Sequence, residues 1–198
     1  MKYLNKIQIE NIKCNLQEKI NTIKNSTPIY NKLWPQLELP TKLIYRLVHA
    51  NKDLYVLYPI DSLGKSSPKI PTNKYSFVIL LEDPLSVYCF SHTEIFERQD
   101  LRIQAQGHVN YGHSSLSFIK NKQFSPSLPA KIMAKPVLLA GHLNFCEHEH
   151  LSLGGGEMIS WTVDSGHYRP SALDAHNNRV GYVKKVLPMD KFKNIYPD

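Results

Sequence analysis

Six consecutive residues, 165–170, hold the densest group of chemically capable side chains in the sequence, in the order Ser-Gly-His-Tyr-Arg-Pro. Histidine exchanges protons near neutral pH, so His167 is the candidate general acid or base. Arg169 supplies a planar, permanent cation that suits a phosphate group. These residue types predict a catalytic site for a phosphate-containing substrate. The residues expected to bind that substrate are Ser165, Gly166, Tyr168, Arg169 and Ser171.

A second polar segment, residues 107–115, reads Gly-His-Val-Asn-Tyr-Gly-His-Ser-Ser. His113 lies beside Ser114 and Ser115, so these residues are candidates for a base and the hydroxyls that it activates. The same hydroxyls and nearby backbone N–H groups are also suited to holding a phosphate. The alternative is a polar turn without chemistry. For residues 165–170 the alternative is a turn with a buried tyrosine and a solvated arginine.

Zinc-type ligands gather in residues 142–150. On an extended chain, ligands two residues apart share one face. The segment is also the expected tip of a hairpin, where polar residues collect without function, and the sequence favours that interpretation over a zinc site. The candidate ligands are His142, Cys146, His148 and His150.

A fourth polar group, Ser91 and His92 with Glu94 and Glu97, follows the end of an expected strand. It is able to add an acid to the site. A surface turn that leads into a short helix is the favoured interpretation.

The elements that must position these groups follow from the hydrophobic periodicity. Apolar residues at helical spacing predict an amphipathic helix over residues 3–24. A helix that packs on the core is the favoured interpretation, and a helix that binds a partner or a membrane surface is the alternative. Short helices are expected over residues 42–50, after Pro170 with Ser171 as the cap, and over residues 189–195. Runs of β-branched, aromatic and apolar residues predict strands at residues 53–58, 75–81, 86–90, 101–105, 136–145 and 158–163.

Together these elements predict an α+β fold with a single, mainly antiparallel sheet of roughly five to seven strands. The N-terminal amphipathic helix and the short C-terminal helices flank this sheet. Residues 1–50 are expected to form an N-terminal helical region packed on the core, and residues 51–198 an α+β core domain that carries the site.

The 198 residues carry a formal net charge of +7, which suits an anionic partner such as a nucleotide or an acidic protein. The lysines are dispersed, so a dedicated nucleic-acid function is not favoured. Three cysteines without a CxxC pair indicate reduced thiols in a cytosol-like compartment. No signal peptide of the usual cleavable kind and no membrane-spanning stretch are visible.

Three blocks, taken in order, resemble a family of bacterial toxin and effector domains. They are His-Ser-Ser at residues 113–115, Val-Leu-Leu-Ala-Gly at residues 137–141, and Ser-Gly-His-Tyr-Arg-Pro at residues 165–170. The pattern is also similar to actin-activated AMPylase effectors of intracellular pathogens, whose signature combines a serine with an HxxxE motif. The resemblance covers roughly residues 105–190.

The resemblance implies an enzyme that moves AMP from ATP, with Mg²⁺, onto a protein or a phosphorylated group. His167 takes the motif's histidine role, and Ser114 or Ser115 takes the serine role. The implied partners are a nucleotide, an acidic host or target protein, and actin as activator. The implied location is the cytoplasm, or the cytosol of a target cell into which the protein is delivered.

Two positions depart from the family pattern. Ser171 stands where the HxxxE motif has its Glu, and His142 stands where the strand block usually has Glu. Asp174 and Glu157 are the nearest acids that would substitute. Without such an acid, the chain would bind a nucleotide but not catalyse transfer.

Two other functions remain open from the sequence. One is a non-catalytic module that uses its basic surface and N-terminal helix to bind an acidic protein or a nucleic acid. The other is a zinc-binding protein that uses the ligands in residues 142–150.

Overall fold

A closed barrel of six antiparallel strands forms the centre of the computed structural model, which describes residues 6–33, 36–51, 54–61, 67–98, 100, 111–118, 133–147, 154–179 and 182–195. The order around the barrel is β1-β2-β6-β5-β3-β4, and β4 returns to β1. The strands are β1 Tyr45–Asn51, β2 Leu54–Pro59, β3 Lys74–Leu80, β4 Val87–Ser91, β5 Val137–Phe145 and β6 Gly156–Thr162.

Helices lie outside the barrel. The long helix α1 precedes the first strand, α2 follows β4, and two short helices, α3 and α4, follow β6. Their bounds are α1 Lys6–Lys24, α2 His92–Glu97, α3 Ala172–Asn178 and α4 Val183–Val186, with 3-10 helices at Thr41–Leu43, His113–Leu116 and Met189–Lys191. None of the described helices is both long enough and apolar enough to cross a membrane.

Large side chains from alternate strand positions fill the barrel interior. Successive residues of a strand face opposite sides, so Tyr75 and Phe77, which are two positions apart on β3, both point inward. Tyr75 packs edge-on against Phe145 of β5, with ring centroids 5.8 Å apart. Phe77 packs similarly against Trp161 of β6 at 6.4 Å. The interior is therefore a packed core, as expected for a barrel with so few strands.

A second apolar layer covers the outer face of β3, β4 and β5. Val78 on β3 faces outward and is completely buried. Its covering residues come from far apart in the sequence: Ile29 and Leu39 before the barrel, Leu116 from the 3-10 helix His113–Leu116, and Tyr168 after β6. This layer brings residues 111–118 and 165–171 to the same side of the barrel.

Gly141 allows β5 and β6 to approach closely. A Cβ atom at this position would lie 1.9 Å from the carbonyl oxygen of Thr162 and 2.8 Å from the Cα of Val163. Only a residue without a side chain fits there, so the Ala-Gly pair in β5 is a requirement of strand packing.

The main elements of the predicted fold are confirmed: a single antiparallel sheet combined with helices, including an N-terminal helix. Residues 136–145 and 158–163 form the antiparallel pair β5–β6, and Ser171 caps α3. The strand expected at residues 101–105 lies outside the described residues.

Two predicted helices were wrong. Residues 42–50 are mostly strand β1. Tyr45 and Leu47 are two positions apart and both point into the barrel core, which a helical conformation would not allow. Of residues 189–195, only Met189–Lys191 are helical, as a 3-10 turn.

The expected N-terminal region divides into two parts with different packing. Residues 29–44 contribute buried side chains to the outer apolar layer, whereas the apolar side chains of α1 are largely exposed. Strand β1 runs across the expected boundary at residue 50, so the barrel begins at Tyr45.

Candidate functional site

Tyr168 joins the two polar segments that the sequence singled out. Its side chain is completely buried. The hydroxyl forms a hydrogen bond with Ser117 Oγ and donates to the carbonyl oxygen of Lys135 at 2.9 Å. Burial raises the pKa of Tyr168 well above its ordinary value, so the phenol stays neutral. The residues after β6 are therefore held directly against the segment around His113–Leu116.

The two predicted serines are buried and already hydrogen-bonded. Ser114 Oγ accepts from the backbone N–H of Gln36 at 2.8 Å and donates to the Gln36 side-chain oxygen at 3.2 Å. Ser115 Oγ accepts from the backbone N–H of Gly112 at 3.1 Å. These bonds attach the 3-10 helix to Gln36 and Gly112. Both serine hydroxyls therefore make structural contacts.

The turn after β6 is braced by its own backbone and carries one exposed cation, Arg169, with Lys32 of the preceding chain bound beside it. Ser165 accepts hydrogen bonds from the backbone N–H groups of Tyr168 and Arg169, at 3.3 Å to its hydroxyl and 2.7 Å to its carbonyl. Arg169 adopts a left-handed conformation with φ of 44° and lies exposed. Lys32 bonds to the turn twice, through its backbone N–H to the carbonyl of His167 and through Nζ to the carbonyl of Arg169. The turn therefore presents positive charge beside a half-buried His167.

Neither predicted acid adjoins this turn as a free carboxylate. Asp174 forms a reciprocal capping pair with Ser171: its carboxylate accepts from the Ser171 hydroxyl at 2.7 Å, and that hydroxyl accepts from the Asp174 N–H at 3.0 Å. Glu157 is five residues before the end of β6 and hence about 17 Å along the strand from Thr162. Ser171 and Asp174 thus start α3, and Glu157 belongs to the other end of the barrel.

Three histidines cluster on the outer face of the barrel, next to the same turn. The rings of His113 and His142 are 5.0 Å apart between centroids, and those of His92 and His142 are 6.5 Å apart. His113 Nε2 donates to the carbonyl oxygen of Gly141 at 2.8 Å, which leaves Nδ1 as the acceptor. Ser76 Oγ lies 2.8 Å from His92 Nε2 and stands opposite His142 in the β3–β5 register.

All three imidazoles are neutral at pH 7. Burial lowers the pKa of His113 to about 3, although its bond to Gly141 opposes the shift. Burial, followed by the charge of Lys74, lowers the pKa of His142 to about 4 and also lowers that of His92. Asp164, which begins the turn after β6, acts in the opposite direction on His113. A lowered pKa makes an imidazole a weaker base, so these buried histidines stay uncharged and accept a proton poorly at pH 7.

The expected zinc ligands do not come together within the described part of the chain. His142 faces the other histidines, whereas Cys146 Sγ lies 3.8 Å from a carboxylate oxygen of Glu157. His148 and His150 lie outside the described residues. Among the residues that the structure describes, no group of three or more His, Cys, Asp or Glu side chains has a geometry suited to a metal ion.

Four members of the site were not identified from the sequence as such. His92 was assigned to a surface turn, and it does start α2, with Ser91 as the cap. Ser76, Asp164 and Lys32 received no role. Ser76 is recognisable once β3 and β5 are paired, because the register places Ser76 opposite His142 on the outer face.

No protein-family model, no curated protein and no solved structure matches this chain. The turn after β6, the histidine cluster and the charges beside them are the features of this chain that bear on function.

Proposed function

We propose that this chain is a nucleotide-dependent transferase that moves AMP from ATP onto a protein or a phosphorylated acceptor. The observation that carries the proposal is the buried Tyr168, which holds the turn with His167 and Arg169 against the segment around His113–Leu116. The resemblance of both segments to an effector family supports the same activity. The proposed partner is an acidic host or target protein, with actin as the candidate activator.

The residues of the turn suit the transfer step. Arg169 and Lys32 supply positive charge for the phosphates, which is the main requirement of phosphoryl-transfer catalysis. The acceptor oxygen attacks the α-phosphorus, its proton passes to the His167 imidazole, and pyrophosphate leaves.

At this site Mg²⁺ would be held mainly by the phosphates of the nucleotide and less by protein side chains. Asp164 is the carboxylate at the start of the turn, and its charge reaches His113. One carboxylate suits Mg²⁺, which usually keeps several waters and is held by one or two carboxylates and the substrate phosphates. When bound, the ion neutralises charge on the phosphates.

The proposal is tested by transfer of AMP from ATP labelled at the α-phosphate, with Mg²⁺, in the presence and absence of actin. His167→Ala should abolish transfer, and Arg169→Ala should weaken ATP binding about tenfold or more, as expected for loss of a phosphate contact. His176→Ala, which removes an exposed histidine from α3, is the matched control. A folded His167→Ala variant that transfers AMP as well as the parent would contradict the proposed role.

A second candidate is a non-catalytic module that binds an acidic protein. It is favoured by the hydrogen bonds that already occupy Ser114, Ser115 and the Ser171–Asp174 pair. Calorimetry with ATP and Mg²⁺ distinguishes the two candidates. Absence of binding heat, with and without actin, would favour the module.

A further inference from the structure

The apolar side of helix α1 is exposed. Ile12, Leu16, Ile20 and Ile23 recur at steps of four, four and three residues, which places them on one face of a helix. Their side chains are 52%, 56%, 37% and 36% exposed. A face of large apolar residues of this kind marks an interaction site, and the spacing is that of a helix that docks into a groove.

The C-terminal end of α1 is attached to the rest of the protein. Thr22 is buried, and the backbone of Thr27 bonds in both directions to the Asn178 side chain, with its N–H donating at 2.7 Å and its carbonyl accepting at 2.7 Å. Asn178 is completely buried and also donates to the carbonyl oxygen of Leu138. These bonds attach the chain just after α1 to α3 and β5.

An apolar groove of about 680 Å³ lies on the outer layer of the barrel. Its floor includes Leu39, Ile44, Leu80 and Leu116. Three carboxylates line the same groove, of which Glu82 is ion-paired with Lys135 and Asp83 accepts a hydrogen bond from the Tyr88 hydroxyl. These charged residues are Glu38, Glu82, Asp83 and Lys135. The groove is locally acidic although the protein is basic overall.

The charges that border the apolar face of α1 have the opposite sign. At 100° per residue, Lys13 and Lys19 fall on the two edges of that face, whereas Glu10 and Glu18 fall farther from its centre. A helix with an apolar centre and basic edges therefore matches a groove with an apolar floor and acidic side chains. Both features belong to the same chain, so a second copy offers a groove of matching chemistry to the exposed face of α1.

We propose that the groove of one copy receives α1 of a second copy, and that the exchange is reciprocal. Two identical helix–groove contacts related by a two-fold axis make a closed dimer. Leu116 belongs both to the groove and to the 3-10 helix His113–Leu116, so the docked helix would adjoin the candidate site. This dimer does not depend on the proposed transfer activity.

The first test is the mass of the protein in solution, measured by sedimentation across a concentration series. The parent should show twice the monomer mass. Leu16→Glu should weaken dimerisation about tenfold or more, because it places a charge on the docking face. Ile7→Glu is the matched control, since Ile7 is 72% exposed and lies away from that face; it should leave the dimer intact. A monomeric parent at every concentration, or a Leu16→Glu variant that dimerises as tightly as the parent, would overturn the proposal.

The second test separates a helix–groove contact from pairing between two α1 helices. The double variant Glu38→Lys with Glu82→Lys reverses the charge of the groove and should be monomeric. Mixed with Leu16→Glu, it supplies an intact helix for an intact groove, so a heterodimer should appear in native mass spectrometry. A groove variant that stays dimeric, or a mixture that stays monomeric, would overturn the proposal. Binding of a monomeric parent to anionic lipid vesicles would assign α1 to a membrane surface instead.

Discussion

Replacing His113 with glutamine should make the protein less sensitive to acid. The imidazole is 6% exposed, and burial lowers its pKa to about 3 in the folded protein. The unfolded chain binds a proton at the ordinary histidine pKa of about 6.5. The stability that this group contributes is therefore complete above pH 6.5 and is lost as the pH falls from about 6.5 towards 3. Glutamine carries no titratable proton and its amide is able to donate to Gly141 as His113 Nε2 does.

The size of the effect follows from proton linkage. Between pH 7 and pH 5 the unfolded state gains about three-quarters of a proton at this position, and the folded state gains almost none. One such histidine therefore costs about 2 kcal/mol of unfolding free energy over that interval. His142 and His92 change in the same direction, by less because they are half-buried and screened by solvent.

Urea denaturation at a series of pH values from 7 to 5 measures the difference. The parent should lose stability steeply as the pH falls, and His113→Gln should lose about 2 kcal/mol less. The comparison is between the slopes of unfolding free energy against pH. A loss of packing against His142 lowers the free energy at every pH and leaves the slope unchanged. His176→Gln, which changes an exposed histidine, should keep the parent's slope. Equal slopes for the parent and His113→Gln would refute the burial argument.

Two further changes probe the contacts that hold the site together. Tyr168→Phe removes a buried hydroxyl that bonds to Ser117, and should lower the unfolding free energy by about 1–3 kcal/mol, whereas Tyr30→Phe at an exposed tyrosine should have little effect on thermal denaturation. Gly141→Ala should destabilise the protein more than Tyr168→Phe, because its Cβ would clash with Thr162 and force β5 from β6; a circular dichroism melt equal to the parent's would contradict the proposed close approach.

Local sequence patterns predicted most strands well because each has a long apolar run. Residues 75–81 and 136–145 match β3 and β5 within a residue or so, since both strands are buried on two faces. The segment at residues 42–50 was misassigned because its inward residues are separated by polar ones that also suit a helix. Only its pairing with β2 and β4 decides that it is a strand.

The site was less accessible to sequence reasoning. The turn and the His-Ser-Ser segment were found because their polar residues are concentrated in short stretches. The structural contacts of Ser114 and Ser115 were not found, because a sequence does not show whether a hydroxyl faces a substrate or, as in Ser114, bonds to Gln36. The cluster of His92, His113 and His142 combines residues up to fifty positions apart.

By itself, the sequence determined the presence of α1, the Ser171 cap of α3 and the polar turn after β6, because each depends on residues within a few positions of one another. The tertiary structure alone decided that the strands close into a barrel and that three histidines share its outer face. It also decided that Tyr168 is an internal support. These outcomes depend on cross-strand register and on burial, and both arise only when distant segments pack together.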